Sequence, residues 1–149
     1  MRLVDNADAM IKPTPRKILY YFAKYQMLFE RYEDRVDFIH GMLKADPIDR
    51  LTNTLIIFVD MMDEANERLT RVFTRGSQHK NVSVIFMVQN FCNKNRHMRM
   101  ISLNAQYIIL FKNPHDSSQF VHVAKQLYPH NLLTKHTSMP RIPHMAMFC

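Results

Sequence analysis

Short runs of consecutive apolar residues alternate along the chain with segments that carry apolar residues at helical spacing. Residues 16–23, 55–59, 82–88 and 106–112 are rich in aliphatic and aromatic side chains, and each predicts a β-strand. Residues 55–59 are apolar at every position, so this strand is expected to have no solvent-facing side. Such strands are typical of parallel sheets that helices cover on both faces.

Two segments between these runs have the spacing of an amphipathic helix. The apolar positions are Tyr25, Leu28, Phe29 and Tyr32 in the first segment, and Ala65, Leu69, Val72 and Phe73 in the second. Asp63 and Glu64 are expected to open the second helix, where acids suit the positive N-terminal end. Gly76 is a suitable stop for it.

Three further segments give weaker signals. Residues 36–39 predict either a short strand or a loop, and residues 95–103 a loop or a short helix. Asp116, with Gln119 three residues later, predicts the start of a helix that ends at Pro129. The alternation of strands and helices predicts an α/β domain with a mainly parallel sheet over residues 1–130, followed by a divergent tail, residues 131–149.

Composition narrows the class of protein. The chain has 149 residues, 47% of them hydrophobic, which is enough for one domain with a core. No apolar run reaches the roughly 18 residues of a membrane helix, so no membrane contact is expected. The two cysteines, Cys92 and Cys149, form no CxxC pair, which favours a reducing compartment, the cytoplasm or nucleus.

The charge balance favours contact with polyanions. Lysine and arginine number 20 against 13 acids, which gives a formal charge of +7. One basic run contains Lys94, Arg96, His97 and Arg99. A solvated loop is the alternative interpretation of that run.

Polar residues follow two of the predicted strands at the point where each ends. Asp60 follows residues 55–59, and Gln89 follows residues 82–88. Ligands of parallel α/β sheets bind beyond the carboxyl ends of the strands. An apolar strand followed by Asp has the form of a Walker B element, whose carboxylate holds Mg²⁺. Strands also commonly end in Asp simply because a turn follows.

A Walker A loop is absent from the sequence. That loop requires GxxxxGK followed by Ser or Thr, because its backbone N–H groups and lysine hold the phosphates. The chain contains only two glycines, Gly41 and Gly76, and no Gly-Lys dipeptide.

The chain resembles the FtsK–HerA lineage of DNA-virus genome-packaging ATPases, in particular the copies in large DNA viruses and virus-like mobile elements. The segments that carry the resemblance are LIIFVDMMDEA, LTRVFTRGSQHKNVSVIFMVQNFCNK and RMISLNAQYIILFKNPHDSSQFVHVAKQLYP, with NADAMIKPTPRKILYYFAKYQMLF before them. The resemblance covers roughly residues 4–130. It implies a P-loop NTPase fold of the ASCE or RecA-like type.

The resemblance also implies a function and a set of site residues. The family hydrolyses ATP with Mg²⁺ to move double-stranded DNA into a capsid, working as a homo-oligomeric ring that can contact capsid proteins. It places Asp60 at the Walker B position as the metal ligand, with Asp63 and Glu64 as further candidates near the cofactor. Gln89 takes the polar tip of the sensor strand, and Arg75 lies near where a basic residue reaches the neighbouring subunit's nucleotide.

Departures from the family pattern limit what this chain is expected to do. The family has two consecutive acids after the apolar run, whereas this chain has Val59 and Asp60. The Walker A strand and loop are expected to precede Met1. In the family that strand lies between the strands that correspond to residues 82–88 and 106–112. Without it, these two strands are expected either to be separated by a gap or to pair directly with each other. The prediction is therefore a degenerate or incomplete ATPase. The alternatives are a basic, non-catalytic DNA- or protein-binding remnant and a structural α/β domain without a ligand.

Overall fold

The computed structural model describes residues 2–44, 51–61, 63–76, 81–89 and 95–109. We number the helices α1–α4 and the strands β1–β4 in chain order, with one 3-10 helix and one π-helical turn between them. The elements are α1 Arg2–Asp5, α2 Ala7–Met10, β1 Lys17–Phe22, the 3-10 helix Met27–Tyr32, β2 Asp37–His40, β3 Thr54–Val59, α3 Glu67–Arg71, the π turn Val72–Gly76, β4 Ser83–Met87 and α4 Arg96–Asn104.

The four strands form one parallel sheet in the order β2-β1-β3-β4. Phe22 lies opposite both His40 of β2 and Val59 of β3, and Val59 lies opposite Met87 of β4. All four strands therefore end at the same edge of the sheet. The predicted α/β class with a parallel sheet is confirmed for the described residues.

Helical elements cover both faces of this sheet, as the apolar runs predict. On one face, Ile56 and Phe58 of β3 pack with residues of α3, the π turn and α4, such as Leu69, Val72 and Ile101. On the other face, strand residues pack against the N-terminal helices and the 3-10 helix through Val4, Ala7 and Phe29. Residues 55–58 are completely buried, because β3 is an inner strand with layers on both sides.

Two predictions of helices need correction. Asp63 and Glu64 lie in a turn, and α3 begins only at Glu67, where the Asn66 side chain caps the helix by accepting a hydrogen bond from the Leu69 N–H at 3.1 Å. The first predicted helix is a 3-10 helix that buries Phe29. Tyr25 and Leu28 remain 54% and 38% exposed, so the predicted apolar face is only partly buried.

The open alternatives at residues 36–39 and 95–103 resolve to strand β2 and helix α4. In the segment predicted as a strand at residues 106–112, residues 106–108 are not in a strand and Ile109 forms an isolated bridge, while residues 110–112 lie outside the described residues. The predicted helix that ends at Pro129 and the tail, residues 131–149, lie outside the described residues.

Within the described part of the chain, no helix is long and apolar enough to cross a membrane.

Candidate functional site

The carboxyl ends of β3 and β4 bring two of the predicted site residues to neighbouring positions. Val59 and Met87 are partners in the ladder, so Asp60 follows one residue later and Gln89 two residues later at the same edge of the sheet. Adjacent strands of a sheet lie about 4.8 Å apart, and Gln89 comes one position after the residue that is in register with Asp60. Both are exposed, and a ligand above the sheet has access to them.

The backbone of Asp60 is in the left-handed region, with φ +57°. Its N–H donates a hydrogen bond to the Met87 carbonyl at 3.1 Å, which extends the β3–β4 ladder by one residue before the chain turns away. Among residues with a Cβ, Asp and Asn tolerate this conformation best. The residue type at position 60 is therefore explained by the turn alone, and a role for its carboxylate needs separate support.

Asp63 and Glu64 are exposed in the turn that connects β3 to α3. The turn is closed by a hydrogen bond from the Glu64 N–H to the Met61 carbonyl, and the Met61 side chain is buried. No group of three or more His, Cys, Asp or Glu side chains in the described ranges is arranged to hold a metal ion. Mg²⁺ in nucleotide sites is held by one or two carboxylates together with phosphates. The exposed carboxylate of Asp60 is a group of the type that can serve as one such ligand.

Arg75 lies in the π turn and is exposed. The connection from β3 to β4 must return the chain to the amino-terminal end of the sheet, because the two strands are parallel. The π turn is the last part of the helical return described, so Arg75 lies toward the edge opposite Asp60. The structure thus places Asp60 and Gln89 at one edge of the sheet, after adjacent strands, and it does not place Arg75 at that edge within one chain.

A further polar residue at this edge of the sheet, which the sequence interpretation did not single out, is His40 at the carboxyl end of β2. Its ring packs edge-on against Phe22 at 5.5 Å between centroids, and its Nε2 lies 3.2 Å from the Ala23 carbonyl oxygen. Gly41 follows with φ +80°, a backbone conformation that favours glycine. The sequence carries one signal for this position, a polar residue directly before a glycine, His40-Gly41.

A slot of about 610 Å³ lies beside β4, which is an edge strand of the sheet among the residues that the structure describes. Residues 81–86 all line the slot. Because alternate side chains of a strand point to opposite faces of the sheet, a slot lined by all of them lies beside the strand and not on one face. Residues 104–107 and Ile109 form the opposite wall. Residues 10–13 close it on one side of the sheet and Phe73 on the other. The slot has the position of a further strand next to β4.

Comparison with known proteins adds no relative: no protein-family model, no curated protein and no solved structure matches the chain.

Proposed function

We propose that the chain is an incomplete P-loop-type ATPase domain, related to the motors that package or translocate DNA. The observation that carries this proposal is the slot along β4. The family resemblance expects a Walker A strand between the sensor strand, which corresponds to β4, and the strand predicted at residues 106–112. The slot lies between β4 and the beginning of that second segment.

The neighbouring positions of Asp60 and Gln89 support the same proposal. In such an ATPase the Walker B carboxylate holds Mg²⁺, and the polar residue on the next strand orients water near the terminal phosphate. Mg²⁺ would neutralise the charge that develops on the phosphates. In this chain Asp60 would be its protein ligand, and Gln89 would supply the polar group beside it.

The missing phosphate loop determines the expected activity. Without backbone N–H groups and a lysine to hold the phosphates, one carboxylate gives little affinity for Mg²⁺–ATP. We therefore expect little or no ATP hydrolysis by this chain alone. A strand that fills the slot and ends in a GxxxxGK loop would bring phosphate-binding groups to the edge where Asp60 and Gln89 lie.

Thermal unfolding with and without about 5 mM Mg²⁺–ATP tests the proposal through the linkage between binding and stability. We compare the chain alone with a longer chain that adds, before Met1, the strand, GxxxxGK[ST] loop and helix of a working member of the lineage. The chain alone should gain about 0.4 kcal/mol or less, as for a ligand at or below its Kd. The longer chain should gain about 4 kcal/mol if ATP reaches 1,000 times its Kd.

Asp60→Asn is the matched variant, because asparagine tolerates the same left-handed backbone and removes only the charge. It should reduce the Mg²⁺-dependent part of the gain in the longer chain and leave the unfolding temperature without nucleotide unchanged. A longer chain that folds, and whose stability does not respond to Mg²⁺–ATP, contradicts the proposal. A large response of the short chain that Asp60→Asn leaves intact would place binding elsewhere and also contradict it.

A further inference from the structure

Helix α4 buries one of its sides, and this packing fixes which of its residues face solvent. Met98 and Ile101 are buried in the same core cluster as Leu69 of α3. Successive residues of a helix are rotated by about 100°, so the residues on the opposite side of α4 point away from the sheet. An arc of about 100° centred on that side contains Arg96, Arg99, Met100 and Leu103. We call these four residues the outer face of α4.

The outer face of α4 exposes two large apolar side chains. Met100 is 47% exposed and Leu103 is 74% exposed. They stand three residues apart, so they are neighbours on the helix surface. Single exposed apolar residues need no explanation, whereas two adjacent ones form a small apolar ridge that a partner can bury.

Cations flank this apolar ridge. Arg96 and Arg99 are exposed in the first half of α4, and the helix contains no acidic residue. The hydrogen bond from Arg71, at 2.7 Å, is the main cause that lowers the pKa of Glu67 in α3, and the charge of Arg96 contributes less. Because the carboxylate of Glu67 is paired with Arg71, the outer face of α4 keeps a net positive charge.

We propose that the outer face of α4 docks on the surface of an anionic lipid bilayer. Met100 and Leu103 enter the boundary between headgroups and acyl chains, as the apolar side chains of interfacial helices do. Arg96 and Arg99 lie at the level of the headgroups, where anionic lipids attract them and their stems cover apolar surface. The sequence contains no apolar run of membrane-spanning length, and a contact of this kind requires none.

The geometry favours a bilayer over two kinds of protein partner. A helix that binds in a protein groove uses apolar anchors over two turns, at i, i+3, i+4 and i+7, whereas the outer face of α4 offers only Met100 and Leu103. A second copy of this helix would bring Arg96 and Arg99 toward an identical pair, with no acid in α4 to offset the repulsion. A flat anionic surface meets neither obstacle.

This contact uses no residue at the edge where Asp60 lies and none that lines the slot beside β4. It therefore goes beyond the proposed ATPase site, and the failure of either proposal leaves the other in place.

Cosedimentation of the full chain with phosphatidylcholine vesicles, with and without phosphatidylserine, tests the proposal. The chain should bind the anionic vesicles and bind the neutral ones much more weakly. Each arginine near an anionic surface contributes about fivefold to affinity, so Arg96→Gln/Arg99→Gln should weaken binding about 25-fold. Leu103→Ser should weaken it about tenfold, because serine removes most of the apolar surface that enters the bilayer.

Matched controls come from elements that pack on the opposite face of the sheet. Arg2→Gln/Arg31→Gln removes two exposed cations there, and Met27→Ser removes an exposed apolar side chain from the 3-10 helix. Both controls should bind anionic vesicles within about twofold of the parent, because salt screens charges that lie far from the membrane.

A tryptophan probe reports insertion directly, because the chain contains no tryptophan of its own. The emission of Leu103→Trp should shift to shorter wavelength when anionic vesicles are added, since the indole ring leaves water. The emission of Met27→Trp should not shift. Far-UV circular dichroism and the unfolding temperature establish that each variant is folded.

Three results would overturn the proposal. The first is absence of binding to anionic vesicles, and the second is equal loss of binding in the control and outer-face variants. The third is bound Leu103→Trp whose emission is unshifted by vesicles, or shifts as much with polyglutamate or DNA, which would indicate an acidic protein or a nucleic acid as the partner.

Discussion

The left-handed backbone of Asp60 leads to a prediction that separates conformation from chemistry at the candidate site. With φ +57°, the residue occupies a region in which an ordinary Cβ crowds the following carbonyl oxygen. The crowding costs roughly 1–2 kcal/mol for most L-residues, less for Asp and Asn, and nothing for Gly. The Asp60 side chain is exposed, so its replacement removes no core packing.

The expected changes in the free energy of unfolding follow from this backbone crowding and from the absence of core packing. Asp60→Asn should change the free energy of unfolding by less than about 0.5 kcal/mol. Asp60→Gly should also be nearly neutral. Glycine removes the crowding between Cβ and the carbonyl oxygen, and this gain offsets the roughly 0.4–1 kcal/mol that glycine costs by increasing the conformational entropy of the unfolded chain. Asp60→Val should destabilise by about 1–2 kcal/mol, since a β-branched residue is the least compatible with positive φ.

Urea unfolding followed by circular dichroism, with free energies extrapolated to water, measures these differences. Asp63→Val is the matched control: the residue is an exposed aspartate in the same connection, and its φ is not positive. It should stay within about 0.5 kcal/mol of the parent. Equal losses for Asp60→Val and Asp63→Val would refute the conformational explanation of Asp60.

Three further predictions concern the core, a helix cap and a titrating group. Phe58→Ala should cost about 3–5 kcal/mol in urea unfolding, because Phe58 is fully buried and stacked 4.9 Å from Tyr21; a loss below 1 kcal/mol would contradict the packing described. Asn66→Ala should cost about 1 kcal/mol by the same assay, and Asn66→Asp should keep the cap. Arg71→Gln should raise the pKa of Glu67, which an NMR titration measures. The pKa of Glu67 is lowered in the folded chain, so ionised Glu67 stabilises the fold at pH values above its ordinary pKa. This contribution is lost as the pH falls through the pKa of the folded chain. An unchanged titration would show that Arg71 is not the main cause.

Apolar runs predicted the sheet because burial on both faces leaves a strong signature. Residues 55–59 could hardly be anything but an inner strand, and β1 and β4 follow from similar runs. The sequence predicted less well where a helix begins. Acids at residues 63 and 64 suit a helix N-terminus electrostatically, but the turn after β3 continues to Asn66, whose side-chain oxygen supplies the cap. Side-chain capping decided this boundary, and charge did not.

At the candidate site, order along the chain predicted that Asp60 and Gln89 follow strands, and the pairing of β3 with β4 places them at one edge after adjacent strands. The φ of Asp60 and the slot could not be predicted in the same way. Hydrophobic periodicity contains no information on a single left-handed residue. The slot depends on which strand occupies the edge of the sheet and on what lies beside it, and both depend on packing between distant segments.

Left-handed residues at both ends of β3 have a consequence for the register of the whole sheet. Every residue from 55 to 59 is apolar, so within these five positions the hydrophobic pattern does not distinguish one face of the strand from the other. Asn53 and Asp60, with φ +47° and +57°, mark where the extended backbone stops. A slip by one position would force the β-branched Thr54 or Val59 into the left-handed backbone conformation. The resulting strain opposes the slip, whereas the apolar pattern alone does not. The length between these two residues therefore sets the alignment of β3 with its neighbours, and an insertion or deletion inside it should be far less tolerated than one in the turn at Asp63 and Glu64.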